Sequence, residues 1–393
     1  MISKSKLYYS ILFNLFCGLS LYAQVPNAFY QTKVNLVNQQ TLTNNLSEFE
    51  NLGVKSVGTT AQENTYQWLK DKYLSFGYTE SQIKTHTYTY SNKTNKNIEV
   101  IKQGSIYPNE YVLVCGHFDT KNGPGVNDNG SGVVTILEIA RILQNIQTDY
   151  SIRFINFSGE EDGLIGSRNY VSQVVNATNP KMKIRVLLNI DEVGGVANAV
   201  NDKVKCERDL TNPTTNNAAS LQFTNDLMSY VSAYSTLTPI LSNAYSSDYM
   251  PFQSNGEIIT GLFEYNESRH PHTSTDRLVN MDPAYNFQIA KASTAAILHY
   301  AIARENLRVE KSKSGSLLIY PNPSHEKINF EIPQAEGDAD VLLYDTNGRK
   351  VLDNKIVLNQ SSGVINTQGL QSGLYVLKIM LKRNSYQQKV FIN

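Results

Sequence analysis

Short apolar runs in this chain end, one after another, on imidazole or carboxylate side chains, and no other feature limits its fold as tightly. The first is Val112-Leu113-Val114-Cys115-Gly116-His117-Phe118-Asp119. A glycine-rich loop follows, Gly125-Val126-Asn127-Asp128-Asn129-Gly130-Ser131-Gly132, and opens an apolar helical pattern. Then come Ser158-Gly159-Glu160-Glu161-Asp162-Gly163-Leu164 after Ile152–Phe157, and Asn189-Ile190-Asp191 at the end of Val186–Ile190. Past Ile258–Phe263 stands His270-Pro271-His272-Thr273. Each piece alone is bland: a lone histidine after a strand usually packs, and an aspartate in a glycine-rich loop usually caps or turns. Together they place acid and imidazole groups at one edge of one sheet.

The stretches between these runs read as helices. Tyr66, Leu69, Tyr73 and Phe76 recur at three-to-four spacing and stop at Gly77. Helical patterns also cover Gly132–Leu143, Arg168–Val175, Leu221–Tyr234 and Tyr285–Ala303, while His86–Tyr90 and Ile98–Lys102 read as strands. Strands alternating with helices predict an α/β fold: a mixed, mostly parallel central sheet flanked by helices. Such sheets carry their chemistry beyond the carboxyl ends of the strands.

The texture changes after Arg304. Charged and small residues predict a linker over 307–316, and short strands with turns such as Asn347-Gly348 predict a small C-terminal all-β sandwich over 317–393. At the other end, Lys4 and Lys6, an apolar run from Leu7 to Leu21 and a small residue at Ala23 predict a signal peptide over 1–23. This leaves 24–306 as the catalytic domain of a secreted or cell-surface protein with no stable membrane span after signal removal. The formal net charge is zero, which gives no basic field for nucleic acid. Cys17 leaves with the signal. Cys115 and Cys206 remain, as buried thiols or as one bridge, too few for a disulfide framework.

The pieces Gly116-His117-Phe118-Asp119-Thr120, Asn127-Asp128-Asn129-Gly130-Ser131-Gly132, Glu160-Glu161-Asp162-Gly163-Leu164-Ile165-Gly166-Ser167, Asn189-Ile190-Asp191, Ser247-Asp248 and His272-Thr273-Ser274-Thr275-Asp276 resemble those of metallopeptidase family 28. Its members include di-zinc leucyl aminopeptidases, glutaminyl cyclases and glutamate carboxypeptidases. The resemblance runs from about residue 40 to 303. It implies two zinc ions per chain, with Asp128 bridging both. His117 and Asp191 would complete one metal, and Glu161 and His272 the other. Glu160 would be the general base, Asp119 would hold His117 in its tautomer, and a cis peptide would follow Asp128. Phe263 and Tyr245 would belong to the substrate pocket. Glu192 stands where the family's aminopeptidases often carry an apolar residue.

The implied activity is hydrolysis of N-terminal residues from peptides with a free N-terminus. The alternatives are a glutaminyl cyclase-like acyltransferase with one metal, and a non-catalytic binding protein, which would be expected to lack Glu160 or a ligand. Separately, Tyr320-Pro321-Asn322-Pro323, Leu343-Tyr344-Asp345-Thr346-Asn347-Gly348-Arg349 and Gly373-Leu374-Tyr375-Val376-Leu377-Lys378-Ile379 resemble the sorting domain of the type IX secretion system. That resemblance implies the secretion machinery as a partner.

Overall fold

The computed structural model describes residues 27–305, 317–333, 335–358, 361–381 and 385–393. The expected signal peptide and linker lie outside them. The chain divides into two compact units, up to Glu305 and from Asn306 onward.

The first unit begins with three helices, α1 (Ala28–Val34), α2 (Gln39–Asn51) and α3 (Thr60–Ser75). Each starts on a side-chain cap: Asn27, Asn38 and Thr59 accept from the backbone N–H three residues on. The α3 helix gives way to Gly77 at φ 97°, a left-handed position suited to glycine. A hairpin follows, β1 (Ile83–Tyr90) and β2 (Lys93–Lys102), then β3 (Tyr107–His117), α4 (Gly132–Leu143), β4 (Gln147–Thr148), β5 (Tyr150–Phe157), α5 (Ile165–Tyr170) and β6 (Lys183–Ile190). The unit closes with β7 (Lys203–Arg208), α6 (Asn217–Tyr234), β8 (Thr238–Asn243), α7 (Met250–Ser254), β9 (Ile259–Glu264), α8 (Pro283–Tyr300) and β10 (Ala303–Arg304).

Eight of these strands form one sheet in the order β1-β2-β5-β3-β6-β9-β7-β8. The central neighbours β5, β3, β6 and β9 run parallel. The pairs β1–β2, β2–β5 and β7–β9 are antiparallel, and β7–β8 is parallel, so the sheet is mixed. The central strands are apolar throughout because both faces are covered. Val112, Val114, Ile152, Phe154, Val186 and Leu188 pack with α4 and α8 on one face. Their alternates Leu113, Cys115, Ile155, Phe157 and Leu187 pack against Tyr170 and Phe252 on the other. Each such side chain, fully buried, contributes about 1.5–3 kcal/mol. Because the four central strands are parallel, their carboxyl ends share one edge, and that edge carries His117, the Glu160-Glu161 turn and Asp191.

Two strands of this sheet escape the sequence pattern, β7 and β8. Helix is also broken where Arg168–Val175 reads as continuous: α5 ends at Tyr170 and a wider π-type turn spans Val171–Val175. Cys115 and Cys206 are both buried free thiols.

The second unit is two antiparallel sheets around a separate apolar core that includes Ile328, Phe330, Val341, Leu343, Leu377 and Ile379. One has β11 (Leu318–Tyr320), β12 (Lys327–Glu331) and β15 (Ser362–Asn366); the other has β13 (Gly337–Tyr344), β14 (Lys350–Leu358), β16 (Gly373–Met380) and β17 (Ser385–Ile392). Among the described residues no helix is long and apolar enough to cross a membrane.

Candidate metal centre

The final residue of β3 places the His117 ring between two carboxylates. Its Nε2 lies 3.2 Å from Asp128 Oδ1 and 3.3 Å from Asp191 Oδ1. His272 Nε2 lies 2.7 Å from Glu161 Oε2 and 3.2 Å from Asp128 Oδ2. Asp128 therefore turns one oxygen to each imidazole. Two donor groups result, His117–Asp128–Asp191 and Asp128–Glu161–His272, each with its ligand atoms within 4.8 Å of one another.

Two observations test whether these groups fit a cation. His117 Nδ1 is 3.1 Å from the Asp119 carbonyl oxygen, which can only accept, so Nδ1 carries the proton. Nε2 faces two carboxylate oxygens at once, an arrangement that needs positive charge there, from a second ring proton or from a cation held among them. Second, Asp191 Oδ1 and Glu161 Oε1 are buried and accept no hydrogen bond among the described residues. Buried oxygens are rarely left so, and there is one in each donor group. The residues fit a metal in both groups.

The electrostatics agree. Burial pushes the Glu160 carboxyl up to about 10; His117 opposes this, while Asp248, Asp191 and Asp119 add to it. Burial likewise raises Glu161 to about 8 and Glu192 to about 10, with Asp128 the next cause in both. Burial also opposes the charged form of His117, but Asp191 and Glu160 hold it well above the usual imidazole range. Asp128 alone among these carboxyls is held low: hydrogen bonds from His117 and His272 outweigh its burial. Too many carboxylates share one buried site for all to ionise without added positive charge.

Supporting contacts hold the donors in place. Ser247 Oγ donates to Asp191 Oδ2 at 2.5 Å, and the Asn189 amide donates to Ser247. The Asp276 carboxylate accepts the backbone N–H groups of Asn127 and Asp128 at 2.8 and 3.0 Å. The Asp128–Asn129 peptide is cis. His272 sits at φ 59° and Glu192 at φ 44°, left-handed positions that cost a non-glycine residue backbone strain.

A cavity of about 530 Å³ opens over the donors, lined also by Glu160, Glu192, Lys121, Leu164, Arg168 and Met250. Three of the residues expected at the site stand apart from the donors or meet them differently. Tyr245 is 80% exposed and does not line this cavity, whereas its neighbour Ser246 does. Phe263 is also absent from the lining: its ring lies under Lys205 Nζ at 5.1 Å, because strand alternation turns it away. Asp119 meets His117 through its main chain. Its carboxylate stands 3.7 Å from Nδ1 and accepts the N–H groups of Glu160 and Glu161 instead, at 3.1 and 3.2 Å. The neighbouring His270 contacts Thr275 and belongs to neither donor group.

A helix-flanked sheet with acid and imidazole donors gathered at its carboxyl edge has the architecture of a metallopeptidase. Residues 97–297, just over half the chain, match Peptidase family M28, and the chain belongs to that family. Residues 318–393 match the secretion system C-terminal sorting domain. Among curated relatives, aminopeptidase YwaD of Bacillus subtilis is 38% identical over 117 residues, 29% of this chain and 25% of that protein. The chain spans about a fifth to a third of the length of the curated relatives it matches. Among solved structures, the LapA aminopeptidase of Legionella pneumophila superposes with TM-score 0.61 at 18% identity, over 76% of this chain and 81% of that one. The glutaminyl cyclase of Macrostomum lignano reaches TM-score 0.61 at 13% identity, over 72% and 97%. The fold alone therefore does not separate peptide hydrolysis from cyclisation.

Proposed function

We propose that the chain is a secreted two-zinc aminopeptidase that releases the first residue of peptides with a free N-terminus. The observation that carries this reading is the pair of donor groups sharing Asp128, with the unliganded Glu160 carboxylate beside them in an open cavity. A cyclase that works with one metal has no use for the second group. Mixed imidazole and carboxylate donors suit zinc.

Zinc bound there would supply a Lewis acid and lower the pKa of the attacking water. The chain's own residues do the rest. Glu160 accepts a proton from the water as its oxygen adds to the scissile carbonyl carbon. It then delivers that proton to the leaving nitrogen as the C–N bond breaks. The Asp119 carboxylate, accepting both backbone N–H groups of the tandem glutamates, fixes the turn that carries Glu160 and Glu161. Ser247 fixes the face that Asp191 presents. Residues 317–393 serve as an address for the type IX secretion machinery, behind a catalytic domain ending near residue 306. Export of the chain follows from that address.

The test compares a peptide with a free N-terminus and its N-acetylated form. The purified chain is expected to release the first amino acid from the free peptide alone. Chelation should stop the release and added zinc restore it. Equal cleavage of both peptides, or cyclisation of an N-terminal glutamine without hydrolysis, contradicts the proposal.

A further inference from the structure

Lys55 has no place in the mechanism, yet it is fully buried in the first unit. Its ammonium donates to the carbonyls of Gly53 at 2.7 Å and Pro124 at 2.8 Å, and lies 3.7 Å from the centre of the Phe49 ring. Among the described residues no carboxylate comes within ion-pair reach of it. A lysine is seldom buried in this way, and burying one is costly unless its donors are satisfied.

Its partners explain the position. Pro124 precedes Gly125, whose left-handed backbone starts the turn into Asp128. The Lys55 backbone N–H donates to Thr120 Oγ1, which in turn donates to the Gly123 carbonyl. On its far side this turn is pressed against the His272 loop. A Cβ on Gly123 would fall 1.8 Å from the Thr273 carbonyl oxygen, and Val126 N–H donates to the Asp276 carbonyl. Lys55 thus stands behind the segment that carries the shared aspartate and abuts the loop that carries His272.

We propose that Lys55 is a positioning residue: its buried ammonium clamps the Gly123–Asp128 turn and so fixes Asp128 against the His272 loop. The two donor groups should not depend on it equally. His117 and Asp191 stand at the ends of paired central strands, which hold them without help. His272 lies on a loop, half exposed, and meets Asp128 only if the turn keeps its place. Burial draws the Lys55 pKa down to about 7, opposed by Asp276 and Glu50. The clamp does not depend on that charge, since a neutral amine keeps two N–H groups for the two carbonyls.

This inference rests on the two-metal reading, and the test separates the two. Zinc-loaded full-length chain is dialysed against graded chelator, and bound zinc per folded chain is counted, with circular dichroism as the check on folding. Wild type is expected to lose zinc in two steps, the His272-side step being the one that His272→Ala abolishes. In Lys55→Met and Lys55→Gln that step should weaken by about 10–100-fold, the range for losing a group that positions a ligand. The His117-side step should weaken clearly less, because two of its three donors stand at the ends of paired strands, and Lys55→Arg should recover most of the loss. Lys55→Gln keeps an N–H for one carbonyl and is the variant to rely on should the methionine not fold. Leu227→Ala, a remote core change, gives the effect of lowered stability alone. Wild-type values for both steps in a folded lysine variant, or equal weakening of both as in Leu227→Ala, overturns the inference. A wild-type chain with a single zinc step overturns the two-metal reading and the inference with it.

Discussion

Glu160→Gln is expected to keep the zinc content of the wild type and to lower peptide turnover by at least ~10²-fold, the lower range for losing a general base. The expectation comes from where the side chain stands. Glu160 lines the cavity but belongs to neither donor group. Its backbone N–H donates to Asp119 in either variant, so the turn persists. Glutamine keeps the shape and removes the basicity. Glu161→Gln should behave in the opposite sense, because Glu161 lies 2.7 Å from His272 and offers a buried, unpaired oxygen. It should shed zinc first, and lose activity as a consequence. Zinc analysis and steady-state rates on the same preparations check both. If Glu160→Gln sheds zinc while Glu161→Gln keeps it, the tandem pair is assigned in the wrong order. If neither slows hydrolysis, the catalytic assignment fails.

Asp128→Asn is expected to have the larger effect on metal. Each Asp128 oxygen faces a different imidazole, so one substitution reaches both donor groups. The amide removes a negative charge and turns an NH₂ toward one of the two positions. Both zinc ions should be lost on dialysis, and hydrolysis should fall at least as far as in Glu160→Gln. The fold should survive, because Asp276 holds this turn through the backbone N–H groups of Asn127 and Asp128, which the change leaves alone. Asp191→Asn touches one group only and should leave one zinc behind. Equal retention in the two variants would show that Asp128 is not shared.

The central strands were legible because burial on both faces leaves them apolar without interruption, as in Val112–Cys115 and Val186–Ile190. The strand β7 was not. Lys203-Val204-Lys205-Cys206-Glu207-Arg208 alternates with charges, a pattern equally at home in a loop. Its edge neighbour β8 mixes exposed and half-buried residues around Pro239 and offers little periodicity. In the sandwich, Ser362-Gly363-Val364-Ile365-Asn366 offers only two adjacent apolar residues and no alternating pattern to mark it as a strand.

The donors could be read because each sits just past a recognisable strand or in a glycine-rich turn. Their supports could be read only in part. Asp276 and Ser247 lie within matching segments, but nothing in the sequence says that one accepts the Asp128 N–H and the other orients Asp191. The cavity wall was the least legible. Lys121, Leu164, Arg168 and Met250 come from separate loops and short helices, with no periodicity to announce them. The resemblance implies Tyr245 and Phe263 at the pocket, and neither lines this cavity.

The central claim is that two metals share Asp128 while Glu160 binds neither. Anomalous scattering at the zinc edge, from crystals of the zinc-loaded chain, tests it most directly. Two peaks about 3.5–4 Å apart are expected, one beside His117 and Asp191, the other beside Glu161 and His272, with Asp128 between them. A single peak, or a peak coordinated by Glu160, would contradict it.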